Sequence, residues 1–114
     1  MIAQSEDGFF VEVVSLPEAL LVTVTGDLDA DTAPELTRTL DRVDSGVVVL
    51  DLRAVPFCDS VGLASIVTLV GRGADLRVLG SRQVIRLMTL TRMEDHVVFA
   101  ASVAEAVAPR VHEN

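Results

Sequence analysis

Val47-Val48-Val49-Leu50-Asp51-Leu52 is a short and almost wholly apolar run, and it reads as a buried strand. The segment Val55-Pro56-Phe57-Cys58-Asp59-Ser60-Val61-Gly62-Leu63-Ala64-Ser65 follows it and leads into the apolar stretch Leu63 to Val70, which reads as a packed helix. Asp59 and Ser60 therefore stand where a buried strand gives way to a helix. The first N–H groups of a helix have no partner inside it, and that end favours a carboxylate or a phosphate. A hydroxyl at such a place is either a cap or a site of regulated modification.

The rest of the chain alternates in the same way. Phe9 to Val14 and Leu20 to Thr25 are β-rich, with Leu16-Pro17-Glu18 between them, and read as a hairpin. Gly26-Asp27-Leu28-Asp29 ends the second strand. Thr32-Ala33-Pro34-Glu35 reads as a helix start in which Thr32 caps and Glu35 completes a capping box. Ala33, Leu36, Leu40 and Val43 share one face of that helix, and Ser45-Gly46 ends it. Gly71-Arg72-Gly73 ends the next helix.

Leu76 to Leu79 is a short strand, and Ser81 caps a helix whose apolar face holds Val84, Leu87, Met88 and Thr91. Val97 to Phe99 is a last strand. Ser102 with Glu105 is a second capping box, which opens a terminal helix through about Arg110. Helices alternating with short apolar strands imply an α/β layer fold. The 114 residues suit one domain, with a core over about 8–111, and half of them are hydrophobic.

No apolar run approaches the roughly 20 residues of a membrane helix, and Met1 to Asp7 is acidic where a signal peptide would be basic. A cytoplasmic protein without membrane insertion is expected. The net charge of −8 argues against nucleic-acid binding and suits a basic protein partner. One cysteine, Cys58, excludes an internal disulfide and a cysteine-built metal site. With Val55 and Phe57 as its near neighbours it reads as a small buried hydrophobe rather than a reactive thiol. His96 and His112 are far apart and no nucleophile–base–acid set is visible, so no catalytic residue, cofactor or metal is expected. Asp27, Asp29 and Asp31 form an acidic loop that reads as a solvated turn, and nothing there completes a ligand set for a divalent ion.

The run Asp59-Ser60-Val61-Gly62-Leu63 resembles the signature of STAS domains, above all the bacterial anti-sigma factor antagonists. In that family an Asp is followed by two small hydroxyl residues, then Gly and Leu, and the second hydroxyl is phosphorylated by the partner kinase. Here Ser60 matches the first hydroxyl and Val61 falls on the acceptor position, which it cannot serve. Val22 to Asp29 with Thr32-Ala33-Pro34 is similar to the family's second strand, acidic loop and first helix, and Ser102 to Val107 to its closing helix.

The resemblance implies a small mixed β-sheet with helices packed mainly on one face. It also implies a partner-binding surface that comprises Asp27, Asp29, Asp59, Ser60, Val61 and Gly62. Its partner would be an anti-sigma factor of the ATP-binding, kinase-like type, whose capture frees a sigma factor. Ser60 is then the remaining candidate for phosphorylation, and a homodimer is left open. Two other readings share the resemblance: an accessory subunit of a lipid-transport ABC system, and a scaffold module of a signalling assembly.

Overall fold

The computed structural model describes residues 2–4, 8–43 and 46–108. They form a six-stranded sheet in the sequential order β1 (Ile2–Gln4), β2 (Phe10–Ser15), β3 (Leu20–Thr25), β4 (Val47–Ala54), β5 (Asp75–Gly80) and β6 (Val98–Phe99). The first three strands pair antiparallel and the last four parallel, so the sheet is mixed. Helices α1 (Ala33–Leu40), α2 (Ser60–Gly71) and α3 (Arg82–Leu90) each connect two neighbouring parallel strands. Crossovers between parallel strands are nearly always right-handed. Because β3 to β6 advance in one direction, three such crossovers land on the same face.

The large core lies between that face and the helices. Val48, Leu50 and Leu52 of β4 meet Leu36 and Leu40 of α1, Leu63, Ile66 and Leu69 of α2, and Val84 and Met88 of α3. The helix α4 (Val103–Val107) covers part of the opposite face, where Ala106 packs on Val49 and Leu79. Residues 48–52 of β4 are thus buried on both sides, as its apolar run demands. Asp51 is the exception within that run. Arg53 holds it through two side-chain bonds of 2.9 and 3.0 Å. Burial pushes the Asp51 carboxyl up, but the hydrogen bonds and charge of Arg53 outweigh it and leave the carboxyl below its ordinary range.

Several local expectations shift. β1 carried no sequence signal that marked it as a strand. The helix α1 stops at Leu40, ahead of Ser45-Gly46; Ser45 lies outside the described residues, and Gly46, with φ of 130°, leads into β4. Thr91 is exposed, because its hydroxyl donates back to the Leu87 carbonyl at 2.8 Å. The terminal helix ends at Val107, and Arg110 and His112 lie outside the described residues. Its capping box forms in altered shape: Ser102 Oγ accepts from Glu105 N, while the Glu105 carboxylate accepts from Ala101 N, one residue ahead of the cap.

Candidate partner-binding surface

β3 and β4 end side by side, and the chain beyond each leads into a helix. Asp59 is the N-cap of α2: its backbone is extended (φ −102°, ψ −177°), and its Oδ1 accepts from Gly62 N at 2.9 Å. The loop ahead of α1 is tied to this turn through one residue. Leu28 N donates to the Phe57 carbonyl at 2.9 Å, and Asp59 N donates to the Leu28 carbonyl at 3.1 Å. Leu28 and Cys58 form a parallel bridge outside the named strands. The Leu28 side chain is wholly buried, so both loops are pinned to the core at this point.

Gly62 is what lets the two loops close. A Cβ at this position would collide with the Leu28 carbonyl oxygen and lie 2.8 Å from Leu28 Cγ. Gly62 is therefore buried beneath the turn and is not part of the exposed surface expected for it. The other five residues do reach this end of the molecule. Asp27, Ser60 and Val61 are exposed, and Asp29 and Asp59 are half-buried. The Ser60 hydroxyl makes no hydrogen bond to the described residues, so no base among them is placed to activate it. Among the described residues no group of three or more His, Cys, Asp and Glu side chains is placed to hold a metal.

The start of α1 departs from the expected capping box. Thr32 has helical dihedrals (φ −99°, ψ −22°) and makes no side-chain cap bond. Its hydroxyl donates to the Asp27 carbonyl at 2.7 Å and accepts from Asp29 N at 3.0 Å. Asp29 supplies the cap instead: its Oδ1 accepts from Asp31 N and Thr32 N at 3.0 and 3.2 Å. Glu35 turns to Arg38 at 3.2 Å.

Cys58 is half-buried, and burial, with the Asp59 charge behind it, pushes its thiol up to about 11. It is a protonated thiol at neutral pH, without the thiolate that reactivity needs. Its neighbour Phe57 is not a core residue, being 50% exposed.

Sequence reasoning missed three features. One is the exposed Phe57 ring. Another is Ser81, whose Oγ donates to the Val55 carbonyl at 2.7 Å while capping Val84 N at 3.3 Å, and so ties α3 to the loop that carries Asp59. The third is a groove of about 470 Å³ between α1 and α2, lined by Ala33, Thr37, Val61, Ala64 and Thr68 among others. Small residues recur at helical spacing on both sides of it, a pattern visible in the sequence once the two helices are known to be neighbours.

A model of the STAS domain family matches residues 10–106. The chain belongs to the STAS domain family. No curated protein matches it. Among solved structures, this STAS domain is similar to an anti-sigma factor antagonist from Mycobacterium paratuberculosis, at 25% identity and a TM-score of 0.76, over 91% of this chain and 95% of that one. It is also similar to the anti-sigma factor antagonist SpoIIAA in its unphosphorylated form, at 14% identity and a TM-score of 0.61, over 86% and 92%. A sulfate transporter family protein from Wolinella succinogenes matches at 20% identity and a TM-score of 0.65, over 82% and 85%. The last two likenesses concern the fold alone. No helix among the described residues is long and apolar enough to cross a membrane.

Proposed function

We propose that this STAS domain binds an anti-sigma factor of the ATP-binding, kinase-like type and, by occupying it, frees a sigma factor. What carries the reading is the junction at Leu28, which brings the Asp27–Asp29 loop against the Asp59–Ser60–Val61 turn and leaves five of those side chains facing outward or half-buried. The likeness to the Mycobacterium paratuberculosis antagonist supports the same partner class. The action is competitive binding in the cytoplasm by one domain, with its core over 8–111. Surface complementarity suffices for that, and any ATP belongs to the partner.

Val61 has no oxygen to carry a phosphate. The domain is thus always competent to bind, and control lies in its abundance or in the partner's state. Ser60 does not replace the acceptor, because neighbouring residues at a helix start point in different directions and phosphoryl transfer depends on positioning.

Capture of native partners on the immobilised domain, identified by mass spectrometry, tests the reading. An anti-sigma factor is the expected result; an ABC-system ATPase and permease in its place would overturn it. Incubating the captured partner with ATP and the domain should leave the domain unmodified, and Val61→Thr should gain one phosphate. Ser60→Asp should keep the fold, since a negative charge at a helix start contributes about 0.3–1 kcal/mol, yet weaken the partner's grip.

A further inference from the structure

We infer that the groove between α1 and α2 is a docking slot for an apolar side chain carried on a basic segment of the partner protein. This rests on the reading of the Leu28 junction as a partner surface, and it adds where the partner's side chain goes and what flanks it.

The slot follows from how the two helices are held. They run side by side, and Arg72, the C-cap of α2, ties their C-terminal ends by donating to the Leu40 carbonyl at 3.0 Å and pairing with Asp41. Toward their N-terminal ends the facing residues are small: Ala33 and Thr37 on α1, Ala64 and Thr68 on α2. Close packing of two helices needs ridges that fill grooves, and small side chains leave the outer part of this one unfilled. The space of about 470 Å³ is largely open to solvent, a shallow groove that can take a side chain from a segment lying across it rather than enclose a whole ligand. Val61 stands on its wall with half its surface exposed.

Charge names the occupant. Ala30, which lines the slot, sits between Asp29 and Asp31 in the chain; these two and Asp27 line a neighbouring depression with Phe9 and Thr32, so their charge borders the slot without entering it, and Asp59 and Ser60 precede Val61 on the other side. The ion pairs among the described residues take up none of these four carboxylates. Arg38 is the only cation on the lining, and Glu35 holds it. An apolar slot with an unneutralised acidic flank is complementary to a leucine- or phenylalanine-like side chain flanked by Arg or Lys. An acidic ligand is repelled. A second copy, with its own charge of −8, would bring like-charged flanks together.

Selection of a phage-displayed library of random linear peptides on the intact chain tests this. The expected consensus is one or two large apolar residues flanked by Arg or Lys. The affinity of the consensus peptide is then read by fluorescence anisotropy. Ala64→Gln fills the slot from an exposed helix position and should weaken the peptide about tenfold or more, while thermal unfolding by circular dichroism stays unchanged. Asp27→Asn with Asp31→Asn should weaken it and flatten its salt dependence, because screened charge is what those two contribute. Ala104→Gln, on the opposite face of the sheet, should change nothing.

No consensus, an acidic or uncharged consensus, or equal binding by Ala64→Gln would overturn the slot. Self-association abolished by Ala64→Gln would do the same, by making a second copy the occupant. The two readings fail separately. Capture of an anti-sigma factor without a basic–apolar consensus leaves the function and removes the slot. The consensus without such a capture leaves the slot and removes the function.

Discussion

The loops ahead of α1 and α2 carry the same chemistry, aspartates and a small hydroxyl just before a helix, and use it in opposite ways. At α2 the expected residue caps: Asp59 is extended and its carboxylate bends back to Gly62 N. At α1 the expected residue does not: Thr32 is already helical, its hydroxyl serves the loop behind it, and Asp29 caps from three residues upstream. A side chain can bend back onto its own helix only if its backbone is extended. Leu28 separates the two cases. Both its backbone polar groups are given to the α2 loop, so the α1 loop must curl around it and Thr32 enters the helix early. A cap is thus a property of the backbone path, and in this protein a tertiary contact sets that path.

The strongest way to break this contrast is Leu28→Ala. The side chain is wholly buried under both loops, and its removal should cost about 2–5 kcal/mol in denaturant unfolding. Both loops should loosen together, seen as faster amide exchange at Asp59 and Ala33; loosening of one loop alone would show that Leu28 does not couple them.

Gly62→Ala comes next. In most helices Gly→Ala is stabilising by about 1 kcal/mol. Here the added methyl meets the backbone of Leu28, and the sign should reverse to a loss of about 1–3 kcal/mol. A stabilised Gly62→Ala would refute the close approach.

The caps themselves sharpen the comparison. Asp59→Ala should cost about 1 kcal/mol. Glu35→Ala should cost less than about 0.5 kcal/mol, because Glu35 closes no box and its partner Arg38 is exposed. Equal losses would restore the capping box at α1.

The smallest effect concerns Cys58, which forms the bridge to Leu28 that joins the loops. Its thiol is raised from 9.0 to about 11, so its contribution is complete below the unfolded value and is lost as pH rises between them. Stability should decline modestly from about pH 9 to 11 and no longer do so in Cys58→Ala, and alkylation at neutral pH should be slow.

Much of the fold was legible. β4 announced itself through an almost wholly apolar run, because burial on both faces leaves room for one polar residue only, Asp51, which Arg53 holds; α2 announced itself through the apolar stretch behind it, although one side of that helix stays exposed. Ser81 and Ser102 were readable as caps because both have the extended backbone (ψ 163°) that a capping side chain needs, as Asp59 has. β1 was not readable: it is an edge strand of three residues whose place depends on pairing with β2.

At the site, the sequence pattern placed Asp59 at the head of α2 and marked Gly62, but it could not tell that Gly62 lies beneath the turn. Burial of a glycine depends on what crosses it, and Leu28 arrives from more than thirty residues away. Nor could it tell that Phe57 faces outward, since an aromatic ring beside a buried Val55 has the local signature of core.

The sequence by itself determined the order of strands and helices from β2 onward, the resemblance to STAS domains and the absence of an oxygen at Val61, all of which are local facts of residue type and spacing. Only the tertiary structure decided that Asp29 rather than Thr32 caps α1, that the α1–α2 groove opens beside Val61, and that two distant loops share one surface. Those outcomes turn on hydrogen bonds and contacts between segments far apart in the chain, and such pairings leave no periodicity in either segment alone.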